Sequence, residues 1–216
     1  MLIRQAMSKR PVTIPANVPV STALEFMRQK NVHRLPVVDK RGRMVGIVAE
    51  SDLLYASPSP ATSLSVWEIH GLLAKLTVEK VMTRKVITIS PDAPVEEAAQ
   101  IMVAKGVGGL PVLDGKELVG IVTETDLFKV FIDMLGGRRH GARVYATIPG
   151  RKGSFMKIAQ AVYKAGGDII GLGLREAAEA SGKVWEMTIK ARDLPKTKLV
   201  AALKPVVNKI KDARST

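Results

Sequence analysis

Two short segments of this 216-residue chain place a carboxylate just beyond the end of a strand-like run: Gly46-Ile47-Val48-Ala49-Glu50-Ser51-Asp52 and Gly120-Ile121-Val122-Thr123-Glu124-Thr125-Asp126. In the second segment the Thr123 hydroxyl and the Asp126 carboxylate have two possible uses. They can satisfy the first free N–H groups of a helix as a near capping box. They can also hydrogen-bond a pair of vicinal hydroxyls on a ligand, with Gly120 leaving space for it. In the first segment Ala49 replaces the threonine, so one hydroxyl is lost and Asp52 remains. Ahead of that segment stand His33 and Arg34, at the start of Leu35-Pro36-Val37. The planar donors of arginine suit phosphate oxygens and imidazole can add another, although a solvated Arg and a lone His at a strand start is the plainer reading. The matching place ahead of the second segment holds Gly108 and Gly109, which offer backbone N–H groups and room but no charge. A third feature, Gly150-Arg151-Lys152-Gly153-Ser154, precedes an amphipathic helix. It either presents its N–H groups, Arg151 and Lys152 to an anion at the helix N-terminus or simply connects two elements.

Other chemistries are poorly served. The chain has no cysteine and only three widely separated histidines, His33, His70 and His140, so thiolate chemistry and a zinc cluster are not expected. The sequence has no Ser/His/Asp order, no paired carboxylates in a glycine-rich context, no P-loop and no metal-ligand spacing. The expectation is a non-enzyme with no catalytic residues, no metal and no required cofactor. No signal-peptide-like or membrane-spanning apolar run occurs, which points to a soluble, cytoplasmic protein without a membrane partner.

These residues sit in a repeat. Met7 to Asp39 aligns with Met82 to Asp114 at 13 of 33 positions, and Val45 to Leu54 aligns with Val119 to Phe128 at 7 of 10. One supersecondary unit is therefore used twice, each copy burying its apolar face against the other. Each copy reads as strand, helix, hairpin, helix. In the second copy Val86 to Ile89 is strand-like, and Pro94 opens a helix with Val95, Ala98, Ala99 and Met102 on one face. Gly106 caps that helix, and Asp114-Gly115 turns a hairpin between Leu110–Leu113 and Leu118–Val122. In the first copy Pro19 starts the helix, Asn31 ends it and Gly42 lies in a longer hairpin tip. The boundaries read as copy one over 1–56, a linker over 57–77, copy two over 78–135 and a separate unit over 138–216. In the linker, Ser65 and Glu68 at capping-box spacing precede Ile69, Leu72, Leu73 and Leu76, which predicts an amphipathic helix.

The last unit differs in charge. Residues 1–56 carry +5, residues 57–135 carry −3, and residues 136–216 carry +11 of the chain's net +13. Its pattern is strand (Ala142–Pro149), loop, helix with Phe155, Ile158, Ala159 and Val162 on one face, a stop at Gly166-Gly167, a hairpin, and a helix from Thr197 to Leu203. A final strand is possible. That order predicts an α+β unit: a small antiparallel sheet with two helices on one face.

Both copies resemble CBS (cystathionine-β-synthase) domains in the M-x-x-x-x-x-T-I opening, the L-P-V-x-D strand and the G-I-V-x-E-x-D-L ending. A tandem pair of this kind resembles a Bateman module. The resemblance implies an α/β fold of two copies about a pseudo-two-fold axis. It also implies an adenosine-containing ligand, AMP, ADP, ATP or S-adenosylmethionine, bound between them. By that resemblance Thr123 and Asp126, and Asp52 in the other half, hold ribose hydroxyls. His33 and Arg34 contact phosphate, with Gly108 and Gly109 in their place in copy two. The opening strand of the partner copy closes over adenine, which assigns Thr88 and Ile89 to the first site and Thr13 and Ile14 to the second. The last third resembles an ACT domain of ferredoxin-like topology, although Gly150 and Lys152 stand where the ACT loop usually carries Asp and Pro. The combination, with the linker wording, is similar to the acetoin utilization protein B family. Both families imply a homodimer, and a sensor implies a protein partner not yet identified. The competing reading is a nucleic-acid or anion-binding protein that uses the basic last third. Against it stand an aromatic content of 4% and the lack of any groove-reading helix or stacking motif.

Overall fold

The computed structural model describes residues 1–56, 76–179 and 182–216. Residues 57–75 of the linker, with Ile69, Leu72 and Leu73 of the stripe expected to be helical, lie outside the described residues, and Leu76 of that stripe packs against the core of copy one. The chain divides into two compact units, Met1–Leu127 and Phe128–Thr216.

In the first unit copy one contributes α1 (Ile3–Ala6), β1 (Ser8–Lys9), β2 (Ile14–Pro15), α2 (Val20–Lys30), β3 (Arg34–Val38), β4 (Met44–Ala49) and α3 (Glu50–Tyr55). Copy two contributes α4 (Val78–Val81), α5 (Val95–Lys105), β5 (Gly109–Asp114), β6 (Glu117–Thr123) and the start of α6 (Glu124–Met134). Both long helices follow a proline N-cap, Pro19 and Pro94. Both stop at a left-handed residue, Asn31 at φ 51° and Gly106 at φ 63°. One sheet runs β2-β3-β4, with β2 parallel and β4 antiparallel to β3. The other runs β1-β6-β5.

That strand order reveals an exchange between the copies. Ser8 and Lys9 pair with Ile121 and Gly120 of copy two, and Thr83 bridges to Ile47 of copy one. The chain then returns to its own copy, where Ile14 pairs with Val37 and Ile89 with Val112. The single opening strand expected from Val86 to Ile89 is thus two short contacts with different sheets. The apolar residues follow the same exchange: Ile3 and Met7 pack with Ala98, Met102, Leu110, Val112 and Val122 of copy two. Val78 and Met82 pack with Val20, Ala23, Met27, Leu35, Val37 and Val48 of copy one. Ile3 and Val78 are fully buried, and each contributes on the order of 1.5–3 kcal/mol that ties one copy to the other.

The second unit is a β-α-β-β-α-β plait. Strands β7 (Ala142–Pro149), β8 (Asp168–Glu179), β9 (Gly182–Arg192) and β10 (Lys209–Ser215) form one antiparallel sheet in the order β10-β7-β9-β8. Helices α7 (Ser154–Lys164) and α8 (Lys196–Leu203) supply Ile158, Val162, Leu199 and Leu203 to the core. These pack with Val144, Ala146, Ile148, Met187, Ile189 and Ala191 of the sheet. The final strand exists and pairs with β7 at the sheet edge. The turn after α6 is also part of this unit. A Cβ on Gly171 would collide with the backbone of Leu135, Gly173 faces the Leu135 side chain, and the Lys190 ammonium donates to Gly136 O at 2.9 Å. The division therefore falls inside α6, ahead of the Gly136-Gly137 pair where composition changes.

Candidate functional site

A cleft of about 280 Å3 opens in the first unit between the two copies. Copy one lines it with Arg34, Ile47, Ala49, Ser51 and Asp52. Copy two lines it with Thr83, Lys85, Val86, Ile87 and the run Gly106 to Gly109. The volume lies near the lower end of the range usual for small-molecule sites.

Asp52 sits in the first turn of α3, where its Oδ2 accepts from Ala49 N–H at 2.9 Å. The carboxylate therefore caps the helix with one oxygen while its residue lines the cleft. The matching Asp126 is 8% exposed and takes part in a fuller version of the same arrangement. The Thr123 hydroxyl donates to Asp126 Oδ2 at 2.7 Å, Thr123 N–H donates to the same oxygen at 3.0 Å, and Asp126 N–H points back to Thr123 Oγ1 at 3.4 Å. The capping use of these two residues is realised in the structure.

Arg34 reaches across the pseudo-symmetry. A Cβ on Gly108 would collide with its guanidinium and would meet Glu124 Oε2 at 2.7 Å, and one on Gly109 would lie 3.2 Å from Arg34 Cδ. The two glycines of copy two are therefore the space that copy one's arginine occupies, and all three residues line one cleft. His33 points elsewhere. Its ring is 75% exposed, its Nδ1 lies 2.8 Å from Glu50 Oε2, and it does not line this cleft.

The adenine-side assignments shift along the chain. Ile89 is 5% exposed in the core and Thr88 is half-buried, and neither lines the cleft; Val86, Ile87, Lys85 and Thr83 do. The cause is the exchange described above: Thr83 is held on β4 while Ile89 is held on β5, so the unpaired residues between them face the cleft. Ile14 is likewise core at 3% exposure, and Thr13 precedes it half-buried. Gly120 offers no space to a ligand, because a Cβ there would collide with Met7 Sδ and lie 3.1 Å from Ser8 O. Lys85, Val86 and Ile87 were missed by sequence reasoning. The signal for them was the repeat, which places Arg10, Pro11 and Val12 at the same offset from Met7.

In the second unit Arg151, Gly153 and Ser154 line a cavity of about 330 Å3 with Ile148, Pro149, Phe155, Met156, Leu174 and Trp185. Lys152 does not line it. Gly153 takes the left-handed conformation at φ 81° as the N-cap of α7. Part of the basic charge of this unit is matched internally. Arg143 pairs with Asp212, Arg192 with Asp168, Arg138 with Asp133, and both Arg175 and Lys211 with Glu186. Hydrogen bonds from Arg175, then Tyr145 and Lys211, hold the Glu186 carboxyl at about 2. Among the described residues no helix is long and apolar enough to cross a membrane, and no cluster of metal-ligating side chains occurs.

The CBS domain family model matches residues 3–59 and 78–133. This chain belongs to the CBS-domain proteins. A CBS domain-containing protein of Dictyostelium discoideum is 38% identical over 136 residues, covering 62% of this chain and 94% of its own length. Among solved structures, the CBS pair of protein MJ0100 in complex with 5'-methylthioadenosine and S-adenosylmethionine is 32% identical. It covers 64% of this chain and 98% of its own, with a TM-score of 0.52. A structure from Vibrio cholerae described as an acetoin utilization protein is 27% identical, covering 64% and 95%, with a TM-score of 0.53. CBSX2 in complex with AMP is 26% identical, covering 61% and 96%, with a TM-score of 0.50. CBS pairs similar to this one thus bind adenosine-containing ligands.

Proposed function

We propose that the protein is a regulatory sensor that binds an adenosine-containing nucleotide in the cleft between its CBS copies. The observation that carries this reading is the convergence of Asp52, Arg34, half-buried Val86 and exposed Ile87 on one cleft. The adenine lies against Val86 and Ile87, and Asp52 accepts from the ribose hydroxyls. In the matching half, Thr123 and Asp126 already satisfy each other, and a ligand there must compete with that cap. One half is therefore the working site. Binding shifts a conformational equilibrium only through differential affinity for two states. The signal is a change in the relation of the copies that the ferredoxin-like second unit passes to a protein partner. We assign that unit to the ACT-like class, place the protein in the cytoplasm as a homodimer, and regard an acetoin-utilization role as the pathway-level reading of the whole. Its cavity beside Arg151 is mainly apolar, which favours a small apolar carboxylate over nucleic acid as any second effector. The test is isothermal titration of the full chain with AMP, ADP, ATP and S-adenosylmethionine, and of the Asp52→Ala variant. Binding by at least one compound, weakened about tenfold in the variant, supports the reading. Binding unchanged by the substitution overturns it.

A further inference from the structure

The helix-free face of the second unit's sheet carries a charge pattern that neither the nucleotide cleft nor the core of that unit uses. Ile210 and Ala213 of β10 pack into the core beneath the helices, so strand alternation turns Lys209 and Arg214 to the other face. Arg143 and Tyr145 of β7 and Glu186 of β9 lie there too, out of phase with Val144, Ala146 and Met187 of the core. Arg175 of β8 sits directly across from Glu186. Lys211 and Asp212, at the β10 bulge, reach the same face and pair with Glu186 and Arg143. Lys190 on this face is buried against Gly136 O, and Asp168 with Arg192 closes on itself at one end. Apart from these, five cations stand against two carboxylates among the described residues.

Each carboxylate is shared by two cations from different strands or positions: Glu186 by Arg175 and Lys211, Asp212 by Arg143 and Arg214. The carboxylates therefore hold four cations in place while neutralising only half of their charge. Arg175 donates Nε and Nη2 to Glu186, and Arg214 donates Nε and Nη2 to Asp212. Their side chains are 77% and 63% exposed, so Nη1 of each fork remains for an incoming acceptor. Lys209 adds an exposed ammonium beside them.

We propose that this face docks an acidic segment of a protein partner. It rests on the sensor reading only in needing such a partner, and it names the surface and the chemistry that recognises it. Guanidinium forks held in fixed positions suit carboxylates, and this face already grips two of them. Single-stranded nucleic acid is less well served, because its bases need an aromatic platform. Tyr145, the aromatic residue of the face, lies under the Lys211 ammonium at 5.6 Å and hydrogen-bonds Glu186. Fixed cations opposite acidic side chains steer encounter and set register, which gives the signal a specific recipient.

Fluorescence anisotropy of the full chain with a labelled peptide of alternating Glu and Ala tests this. The comparison probes are the same peptide with Gln in place of Glu, oligouridylate of equal charge, and vesicles of phosphatidylserine in phosphatidylcholine read by cosedimentation. At about 50 mM KCl the acidic peptide should bind at least about tenfold tighter than the Gln peptide or oligouridylate, and the binding should fade toward about 500 mM. Arg175→Glu, Arg214→Glu and Lys209→Glu should each weaken it about tenfold, whereas Lys157→Glu, exposed on α7 in the opposite layer, should leave it within about twofold. Arg175→Glu sets a second carboxylate beside Glu186; if its melting temperature falls, Lys209→Glu, whose ammonium makes no ion pair among the described residues, decides. Equal binding of the Gln peptide, tighter binding of oligouridylate or vesicles through the same residues, equal loss in Lys157→Glu, or no binding of the acidic peptide at low salt would each overturn the proposal. AMP titration of the same samples reads the cleft independently of these outcomes, so the adenosyl reading stands or falls separately.

Discussion

Copy one lost a hydroxyl that copy two kept, and exchanging the two residues makes the consequence measurable. Ala49 and Thr123 occupy matching positions just ahead of α3 and α6. In copy two the threonine donates to Asp126 Oδ2 and lies near Asp126 N–H. In copy one, among the described residues, Asp52 accepts from the Ala49 N–H. Replacing Ala49 by threonine should complete the cap, because Ala49 lines the open cleft and its side chain has room to grow. A threonine in place of alanine at such a position is worth about 0.5–2 kcal/mol, and the short hydroxyl to carboxylate contact places the gain near about 1 kcal/mol. Thr123→Ala should lose a similar amount. The double exchange should nearly restore wild-type stability, since the two sites are distinct. Urea denaturation followed by circular dichroism reads all three, and the midpoint should move in opposite directions for the two single variants with the slope unchanged. If Ala49→Thr is neutral or destabilising while Thr123→Ala costs nothing, the hydroxyls are not caps and the structural comparison of the copies is mistaken.

Three further outcomes follow from the same geometry. Gly120→Ala should destabilise the first unit by about 1–3 kcal/mol, because the added methyl meets both Met7 Sδ and the Ser8 carbonyl; adding Met7→Ala should rescue only part of that in denaturant titrations, since the backbone oxygen stays. Glu186→Gln should lower the melting temperature at neutral pH. The Glu186 carboxyl is held at about 2 against an ordinary 4.5, so its contribution is complete above about 4.5 and fades as pH falls toward 2. The gap between variant and wild type in a series of melts should close over that window. Lys190→Met should loosen the turn after α6 by removing the ammonium that holds Gly136 O, which then keeps the Arg139 N–H at 3.1 Å, at a cost of about 1 kcal/mol, seen as faster amide exchange across 135–141.

Much of the fold was legible because the deciding interactions are local. Pro19 and Pro94 start helices and Asn31 and Gly106 end them in the left-handed region, each through its own backbone preference; the hairpin turn falls one residue later than expected, on Gly115 and Lys116, because Asp114 still pairs with Glu117. The βαββα order of the second unit was legible for the same reason, and β10 completes it by edge pairing that no local signal announces. The exchange at Met7 and Met82 was not legible, because an apolar residue after a short helix says nothing about which of two similar cores receives it. That gap explains the site as well. With Thr83 on one sheet and Ile89 on the other, the cleft-facing residues are Lys85, Val86 and Ile87, whereas a regular strand would have pointed to Thr88 and Ile89. Arg34 was read as a phosphate ligand of its own copy. Its reach to Gly108 and Gly109 shows why those glycines replace His and Arg in copy two, which the sequence recorded only as a difference.

The central claim is that an adenosyl ligand occupies the cleft between the copies with its ribose on Asp52. A crystal structure of the full chain grown with AMP tests it most directly. The account predicts density in that cleft, with ribose hydroxyls within about 3 Å of the Asp52 carboxylate and the ring against Val86 and Ile87. Density for the nucleotide beside Thr123 and Asp126 alone, or outside the first unit, would contradict it.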